Sequence, residues 1–244
     1  MVSVEIYPPN NVATLAGLHG IDYSFLNIAF KKEFATLLKT VENLKNSEGD
    51  PARLIPHMIG NKFTKSEVFD MVQQLEQQGV RKLLACRGDG QVLGDFPNSL
   101  PLTKFIQDEF SNVEVFSTIY TEPYDWNMLK RKHDLGVRDY VCQMSFDTYR
   151  QLKLHDKFQQ LLPGSRLHMG IMVLKKKASL NLVLDNNWVP VPPAIRHLTA
   201  DALEKHGPEI TAQQIRDLQE NGIDNIHLYS WNNWEATEEV LALI

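Results

Sequence analysis

Cysteine is scarce in this chain of 244 residues, which contains only Cys86 and Cys142. Neither belongs to a C-x-x-C motif or to a Cys/His cluster, so the sequence does not indicate a structural zinc site. Both lie inside short apolar runs of the kind that form buried strands. We therefore expect two buried thiols in a reducing compartment and no disulfide.

An excess of positive charge is also lacking, because 25 lysine and arginine residues stand against 30 aspartate and glutamate residues. The net charge of −5 argues against a general nucleic-acid-binding protein, and an anionic ligand would have to be held by local basic groups. No apolar run approaches the roughly 18 residues of a membrane-spanning helix. The N-terminus leads directly into a strand-like run, so we expect no signal peptide, no membrane segment and a cytoplasmic location.

The glycine-rich loops of common nucleotide-binding folds are missing too. An open doubly wound sheet of the Rossmann type requires G-x-G-x-x-G after its first strand, where this chain has Pro-Pro-Asn-Asn at positions 8–11. No G-x-x-x-x-G-K-[ST] loop is present, and Gly88 with Gly90 forms only an isolated G-x-G. These absences argue against the doubly wound alternative.

The chain instead shows a regular alternation of short apolar runs and segments of helical periodicity. The runs are Val2–Tyr7, Tyr23–Phe30, Arg53–Gly60, Arg81–Arg87, Val113–Tyr120, Asp139–Phe146, Arg166–Val173 and Asn225–Trp231. The helical segments include Glu33–Asn46, Thr64–Gln78, Met128–Gly136, Thr148–Leu162, Thr211–Asn221 and Trp234–Leu243, and Leu174–His206 is predicted as a helix followed by a proline-stiffened excursion. This alternation predicts an α/β fold, a single-domain (β/α)₈ TIM barrel over residues 1–244, with its site at the carboxyl ends of the strands.

Glu5 is the most informative polar residue of the first run. If Val4 and Ile6 face the helices, strict alternation places Ser3, Glu5 and Tyr7 toward the barrel interior or its mouth. A carboxyl group removed from water has a raised pKa and suits general acid catalysis near neutral pH. A structural ion pair with a neighbouring lysine or arginine is the alternative.

Polar residues also lie at the third, fourth and sixth runs. Arg87 can bind an anionic group, Gly88 lets the backbone approach a ligand, and Asp89 can accept hydrogen bonds or stabilise a cation. His57 is either a hydrogen-bond partner of a ligand or a satisfied core histidine. Gln143 interrupts an apolar strand, so its amide requires partners from a ligand or from an internal network.

Two further groups of residues have ordinary structural explanations. Arg131 and Lys132 lie in a basic helical segment after Asp125, and such a segment alone is typical of a solvated helix face. His227 and the aromatic residues of the last run are explained by core packing.

Six stretches of the chain, in collinear order, carry motifs of one enzyme family. They are Glu5–Pro9, Pro56–Met58, Leu84–Asp89, Leu129–Gly136, Gln143–Asp147 and Gly222–Asn232. In them the chain resembles the methylenetetrahydrofolate reductase family, whose motifs are E-F-F-P-P, P-H-L-T, A-L-R-G-D, L-K-R-K-x-D-A-G, T-Q-F-F-F-D and G-V-x-x-F-H-F-Y-T-L-N. Each motif is short, but the conjunction is specific.

The resemblance implies a barrel that binds FAD at its C-terminal face and reduces 5,10-methylenetetrahydrofolate to 5-methyltetrahydrofolate with NAD(P)H. By position, Glu5 would be the general acid, Asp89 would hold the pterin and stabilise a cationic intermediate, and Gln143 would contact the pterin. The residues that would line the FAD site are His57, Arg87, Gly88, Asp89, Tyr120, Asp125, Arg131 and Lys132.

The chain departs from the family pattern at three places near the cofactor. The second strand ends in Ile28–Lys31 instead of T-Y-G-A, Lys177 stands where the family has an aromatic residue, and Asn233 replaces an arginine. Lys177 is either a ligand-binding residue, pairing with an anionic part of the folate or of the nicotinamide cofactor, or a solvated lysine.

Two alternatives therefore accompany the flavin-dependent reductase. One is a flavin-independent reductase in which NAD(P)H gives hydride directly to the folate. The other is a barrel that binds reduced folate without catalysis. All three have small molecules as partners, and assembly into a homo-oligomer stays open.

Overall fold

Eight parallel strands close into a barrel in this computed structural model, which describes residues 1–9, 15, 17–18, 20–30, 33–120 and 122–244. In barrel order the strands are β1 (Val2–Ile6), β2 (Phe25–Ile28), β3 (Leu54–Ile59), β4 (Lys82–Cys86), β5 (Glu114–Ile119), β6 (Asp139–Cys142), β7 (Arg166–Met172) and β8 (Ile226–Tyr229). Parallel pairing of β8 with β1 closes the sheet. The predicted single-domain (β/α)₈ barrel is confirmed. Asn10, Asn11 and Lys31 lie outside the described residues.

Helices cover the outside of the barrel. They are α1 (Phe34–Glu48), α2 (Lys65–Gln77), α3 (Ser99–Glu109), α4 (Trp126–Asp134), α5 (Thr148–Leu161), α6 (Lys177–Asp185), α7 (Pro193–Arg196), α8 (Ala200–Glu220) and α9 (Trp234–Ala242). Thr64 and Glu67 form the predicted capping box of α2. The sequence patterns left α3 unassigned, and it begins after Asn98, whose side chain accepts the Leu100 N–H at 3.0 Å. None of the helices in the described part of the chain has the length and apolar character needed to cross a bilayer.

The prediction that the helix before β8 begins at Thr211 is wrong, because α8 begins eleven residues earlier at Ala200. Thr199 caps this start by accepting the Ala202 N–H at 3.2 Å. Gly207 and Pro208 hid the first half of the helix, since both residues disfavour a helix interior in sequence. Tertiary packing requires the glycine: a Cβ at position 207 would lie 2.4 Å from the carbonyl oxygen of Leu174.

Alternate residues of each strand face the helices and the barrel interior. On β1, Val4 and Ile6 join the core between barrel and helices, whereas Ser3 and Glu5 face inward, as the alternation predicts. On β3 to β6 the interior is filled by an apolar cluster of Ile55, Ile59, Leu84, Cys86, Phe116 and Val141. The polar residues of the interior gather in two places: around Glu5, on β1, β2, β3 and β8, and around Asp139, on β6 and β7.

Candidate active site

A buried polar cluster surrounds Glu5 near the carboxyl end of β1. Oε2 of Glu5 lies 3.6 Å from Nε2 of His57 on β3 and 3.7 Å from Nε2 of His227 on β8. The other ring nitrogen of His227, Nδ1, is 2.9 Å from Oγ of Ser3. Register pairing of β1 with β2 places Asn27 beside Glu5, and its Oδ1 is buried without a partner among the described residues.

Burial determines the protonation states of this cluster. Loss of water raises the pKa of Glu5, and the charge of a protonated His57 would offset only part of that rise. Burial likewise lowers the pKa of His57, and it lowers the pKa of His227 to about 3. Burial therefore shifts this cluster toward a protonated carboxyl group and two uncharged imidazoles. Such a carboxyl group is a proton donor.

The loop after β4 is organised by Asn61, a fully buried residue that follows β3. The Asn61 side-chain amide donates to the carbonyl oxygens of Asp89 at 2.7 Å and of Gln91 at 3.2 Å. Gly88 has φ +86° and lies so close that a Cβ there would be 2.1 Å from Oδ1 of Asn61. Asp89 is exposed at this loop. The pKa of the nearby Tyr7 hydroxyl is raised mainly by burial, then by the charge of Glu5 and then by the charge of Asp89.

A cavity of about 220 Å³, here called the α4 pocket, lies where β4 and β5 end. Four predicted site residues line it together: Arg87, Tyr120, Asp125 and Lys132. The N-terminal residues of α3 and α4 line it as well, so the positive ends of two helix dipoles lie beside this space. This combination suits a phosphate-bearing ligand.

Lys132 is almost completely buried beside the α4 pocket. Its ammonium donates to Oγ of Ser117 at 2.6 Å, and burial lowers its pKa to about 8. The sequence alone favoured a solvated helix face for this basic segment, and that interpretation is wrong for Lys132, which is 2% exposed. An anion in the pocket would favour the charged form of the ammonium.

A second cavity of about 300 Å³, here called the Gln143 pocket, lies where β6 ends. Gln143, Tyr124, Arg150 and Trp188 contribute to its wall, and Tyr120 borders both pockets. The Gln143 side-chain oxygen accepts the N–H of Met144 at 3.0 Å, which fixes the amide at the rim.

Comparison with known proteins identifies the family of this chain. The family model for methylenetetrahydrofolate reductase matches residues 24–244. The chain belongs to the methylenetetrahydrofolate reductase family. A probable methylenetetrahydrofolate reductase (NADPH) of Caenorhabditis elegans is 27% identical over 214 residues, which cover 76% of this chain and 31% of that protein. A 5,10-methylenetetrahydrofolate reductase of Pectobacterium carotovorum subsp. carotovorum is 20% identical over 264 residues, covering 97% of this chain and 87% of its own length.

Solved structures support the fold. An aldo-keto reductase from a Medee basin deep-sea metagenome library superposes with a TM-score of 0.58, at 12% identity, over 100% of this chain and 84% of its own. At that identity the likeness shows the barrel and nothing about chemistry. This chain spans 31% of the length of the nematode relative, so it corresponds to one part of that longer protein.

Among the predicted site residues, Arg131 and Lys177 line neither pocket and belong neither to the Glu5 cluster nor to the loop after β4. Arg131 borders a separate surface depression between α3 and α4, together with Lys104 and Asp134. The ammonium of Lys177 donates to the carbonyl oxygens of Arg196 at 3.0 Å and Leu198 at 2.8 Å. Lys177 thus anchors the end of α7, which is a structural use that its sequence position did not indicate.

Three residues of this family member gained importance only in the structure: His227, Asn61 and Trp188. His227 had been explained by core packing, although the strand alternation that selected Glu5 also places it inward on β8. Asn61 and Trp188 lie in connecting segments, where no periodicity predicts the direction of a side chain.

Proposed function

We propose that this chain is a methylenetetrahydrofolate reductase that converts 5,10-methylenetetrahydrofolate to 5-methyltetrahydrofolate, with FAD as cofactor and NAD(P)H as electron source. Family membership supports the reaction class. The observation that carries the proposal is the Glu5 carboxyl group at the carboxyl end of β1, where burial raises its pKa. A barrel that only binds folate has no need of a proton donor there.

Glu5 acts in the step that opens the five-membered ring of the substrate. Its carboxyl group gives a proton to the ring nitrogen, the C–N bond breaks with its electron pair going to that nitrogen, and an iminium cation remains on the folate. His57 and His227 flank the carboxylate that is left, with their Nε2 atoms 3.6 Å and 3.7 Å from its Oε2. An N–H of either imidazole can donate a hydrogen bond to that carboxylate after a small shift. Asp89 stabilises the cation, and Gln143 orients the pterin.

The residues around the α4 pocket fit FAD. Arg87 and Lys132 supply positive charge, and the positive ends of two helix dipoles lie beside the pocket. These residues, together with Tyr120 and Asp125, would hold the cofactor, and His57, Gly88 and Asp89 would border it. FAD held there would supply the two-electron chemistry that links oxidation of NAD(P)H to reduction of the folate.

The visible absorption spectrum of the purified protein, followed by an activity assay, tests this function. We expect a flavin band, bleaching of that band by NADH or NADPH, and formation of 5-methyltetrahydrofolate from the methylene substrate. Product formation by flavin-free protein would instead establish direct hydride transfer. Protein that is reconstituted with FAD and still forms no product would contradict the proposal.

A further inference from the structure

Three aromatic rings form a continuous stack across the mouth of the barrel. Tyr7, just beyond β1, stacks on Trp231, just beyond β8, with ring centroids 5.4 Å apart. Trp231 stacks in turn on Trp188, with centroids 5.6 Å apart and an interplanar angle of 19°. Tyr7 lies at the Glu5 end of this stack, and Trp188 lines the Gln143 pocket at the other end.

The backbone holds both tryptophans of the stack in fixed positions. Asn232 accepts the Tyr7 N–H at 2.9 Å and donates to the Tyr7 carbonyl oxygen at 2.8 Å, which ties the segment after β8 to the end of β1. Trp231 and Asn232 have φ values of 54° and 57°, a conformation that non-glycine residues adopt at a cost. The buried side chains of Val189 and Val191 anchor the segment that carries Trp188.

Trp188 is nevertheless 38% exposed, which is unusual for the largest apolar side chain. One face of its indole is covered by Trp231, and the ring forms part of the wall of the Gln143 pocket. The indole of Trp188 and the amide of Gln143 line the same pocket. A flat ligand bound there can stack its ring face on the indole and form hydrogen bonds to the amide with its ring edge.

We propose that Trp188 is the residue that positions the pterin ring of the folate, which stacks on the indole while its amide edge meets Gln143. This inference rests on the proposed function, and it assigns the aromatic contact to a residue of the α6–α7 connection. Lys177, the residue that the sequence suggested for ligand binding on this side of the mouth, is occupied by the carbonyl oxygens of Arg196 and Leu198. Trp188 is therefore the side chain that this connection offers to a flat ligand.

The test is a titration of the FAD-loaded protein with 5-methyltetrahydrofolate, followed by calorimetry, for the wild type and for Trp188→Leu and Trp188→Phe. Alanine substitution of an aromatic residue under a stacked base weakens binding by roughly 5- to 150-fold, and we expect Trp188→Leu to fall in that range. Trp188→Phe keeps a smaller ring and should lose less. Tyr149→Leu is the matched control, because Tyr149 is 65% exposed on α5 and stacks on no other ring in the described part of the chain.

Each outcome separates this inference from the proposed function. Selective loss of folate affinity in Trp188→Leu, with unchanged melting temperature and unchanged FAD content, supports the stacking role. Wild-type affinity in Trp188→Leu would overturn the role of Trp188 and leave the reductase function intact. An equal loss in Trp188→Phe together with a lower melting temperature would also overturn it, since the ring would then serve packing. A wild-type protein that does not bind 5-methyltetrahydrofolate would overturn both.

Discussion

The pKa of Glu5 is set by burial, which raises it, and by a few neighbouring side chains. The residue is 5% exposed, and no lysine or arginine among the described residues forms an ion pair with its carboxyl group. The alternative of a structural ion pair between Glu5 and a lysine or arginine is therefore not found among the described residues. Its two close partners are histidines whose pKa values burial lowers, so neither offers a strong positive charge at neutral pH.

Glu5→Gln should reduce the rate of folate reduction by about 10²- to 10⁴-fold, because an amide keeps the shape of the side chain and has no proton of comparable acidity to give. We expect the FAD content and the rate of flavin reduction by NADPH to stay at wild-type values, since neither needs Glu5. Stopped-flow measurement of the two half-reactions would show the difference. A variant that transfers hydride to the folate at the wild-type rate would remove Glu5 from the role of acid.

At the scale of secondary structure elements, the site is built by connections that are held in unusual backbone conformations. The loop after β4 depends on two glycines with similar positive φ values, +86° at Gly88 and +81° at Gly90. They differ in their surroundings, because a Cβ at Gly88 would meet Asn61 at 2.1 Å whereas a Cβ at Gly90 would meet nothing within 4 Å.

Because their surroundings differ, alanine substitutions at Gly88 and Gly90 separate the cost of the positive φ from the cost of the contact with Asn61. Both Gly88→Ala and Gly90→Ala add the cost of a positive φ at a residue with a Cβ, about 1 kcal/mol. Only Gly88→Ala should also displace Asn61, release its hydrogen bonds to the loop and weaken FAD binding by about tenfold or more. FAD affinity measured for both variants decides the matter, and equal losses would mean that the contact with Asn61 does not hold the loop in its binding conformation.

Helix α4 contributes a buried lysine, Lys132, to the wall of the α4 pocket. The pKa of Lys132 is lowered to about 8, so the ammonium loses its proton as the pH rises through that value. A bound diphosphate favours the charged form, and affinity for FAD should therefore be full below pH 8 and decline above it. Lys132→Met should bind FAD more weakly and without this pH dependence.

The control for that measurement is Lys130→Met, which removes the same charge from an exposed position on the same helix. We expect it to keep both the affinity and the decline above pH 8. If the wild-type affinity is constant between pH 6 and pH 10, Lys132 does not pair with the cofactor phosphates.

At the scale of the whole molecule, the two ends of the barrel serve different purposes. The carboxyl ends of the strands carry the site, and the opposite end carries a compact charged cluster. There Arg166 donates to Oδ1 of Asp139 at 2.7 Å, and His168 lies 2.9 Å from the same oxygen. Burial alone would raise the pKa of Asp139, but the hydrogen bonds from His168 and Arg166 outweigh it and hold that pKa below its usual range.

Asp139→Asn should therefore lower the free energy of unfolding by about 1–3 kcal/mol and leave folate and FAD affinities unchanged. A lowered folded-state pKa gives stability that is present above the ordinary pKa of a carboxyl group and is lost as the pH falls through the lowered value. Urea unfolding at pH 7 and at pH 3 should show a smaller gap between wild type and variant at the lower pH. A variant of wild-type stability but reduced turnover would contradict this division of the barrel.

The sequence by itself determined the barrel and the inward direction of Glu5, the first residue of the proposed active site. Eight apolar runs gave eight strands, and period-two alternation on β1 placed Glu5 inward, because a strand fixes the side of each residue locally. The resemblance of short motifs also selected Arg87, Tyr120, Asp125 and Lys132, and these four line a single pocket.

Only the tertiary structure decided which residues meet across the barrel. Glu5 and His227 are 222 positions apart in the sequence and approach because β8 pairs with β1, and Trp188 reaches the mouth through a connection without periodicity. Arg131 fits the motif pattern and Lys177 departs from it, and the structure places both outside the pockets. Local patterns fix the face of an element on which a residue lies, whereas distances between elements depend on closure of the sheet and on packing of the connections.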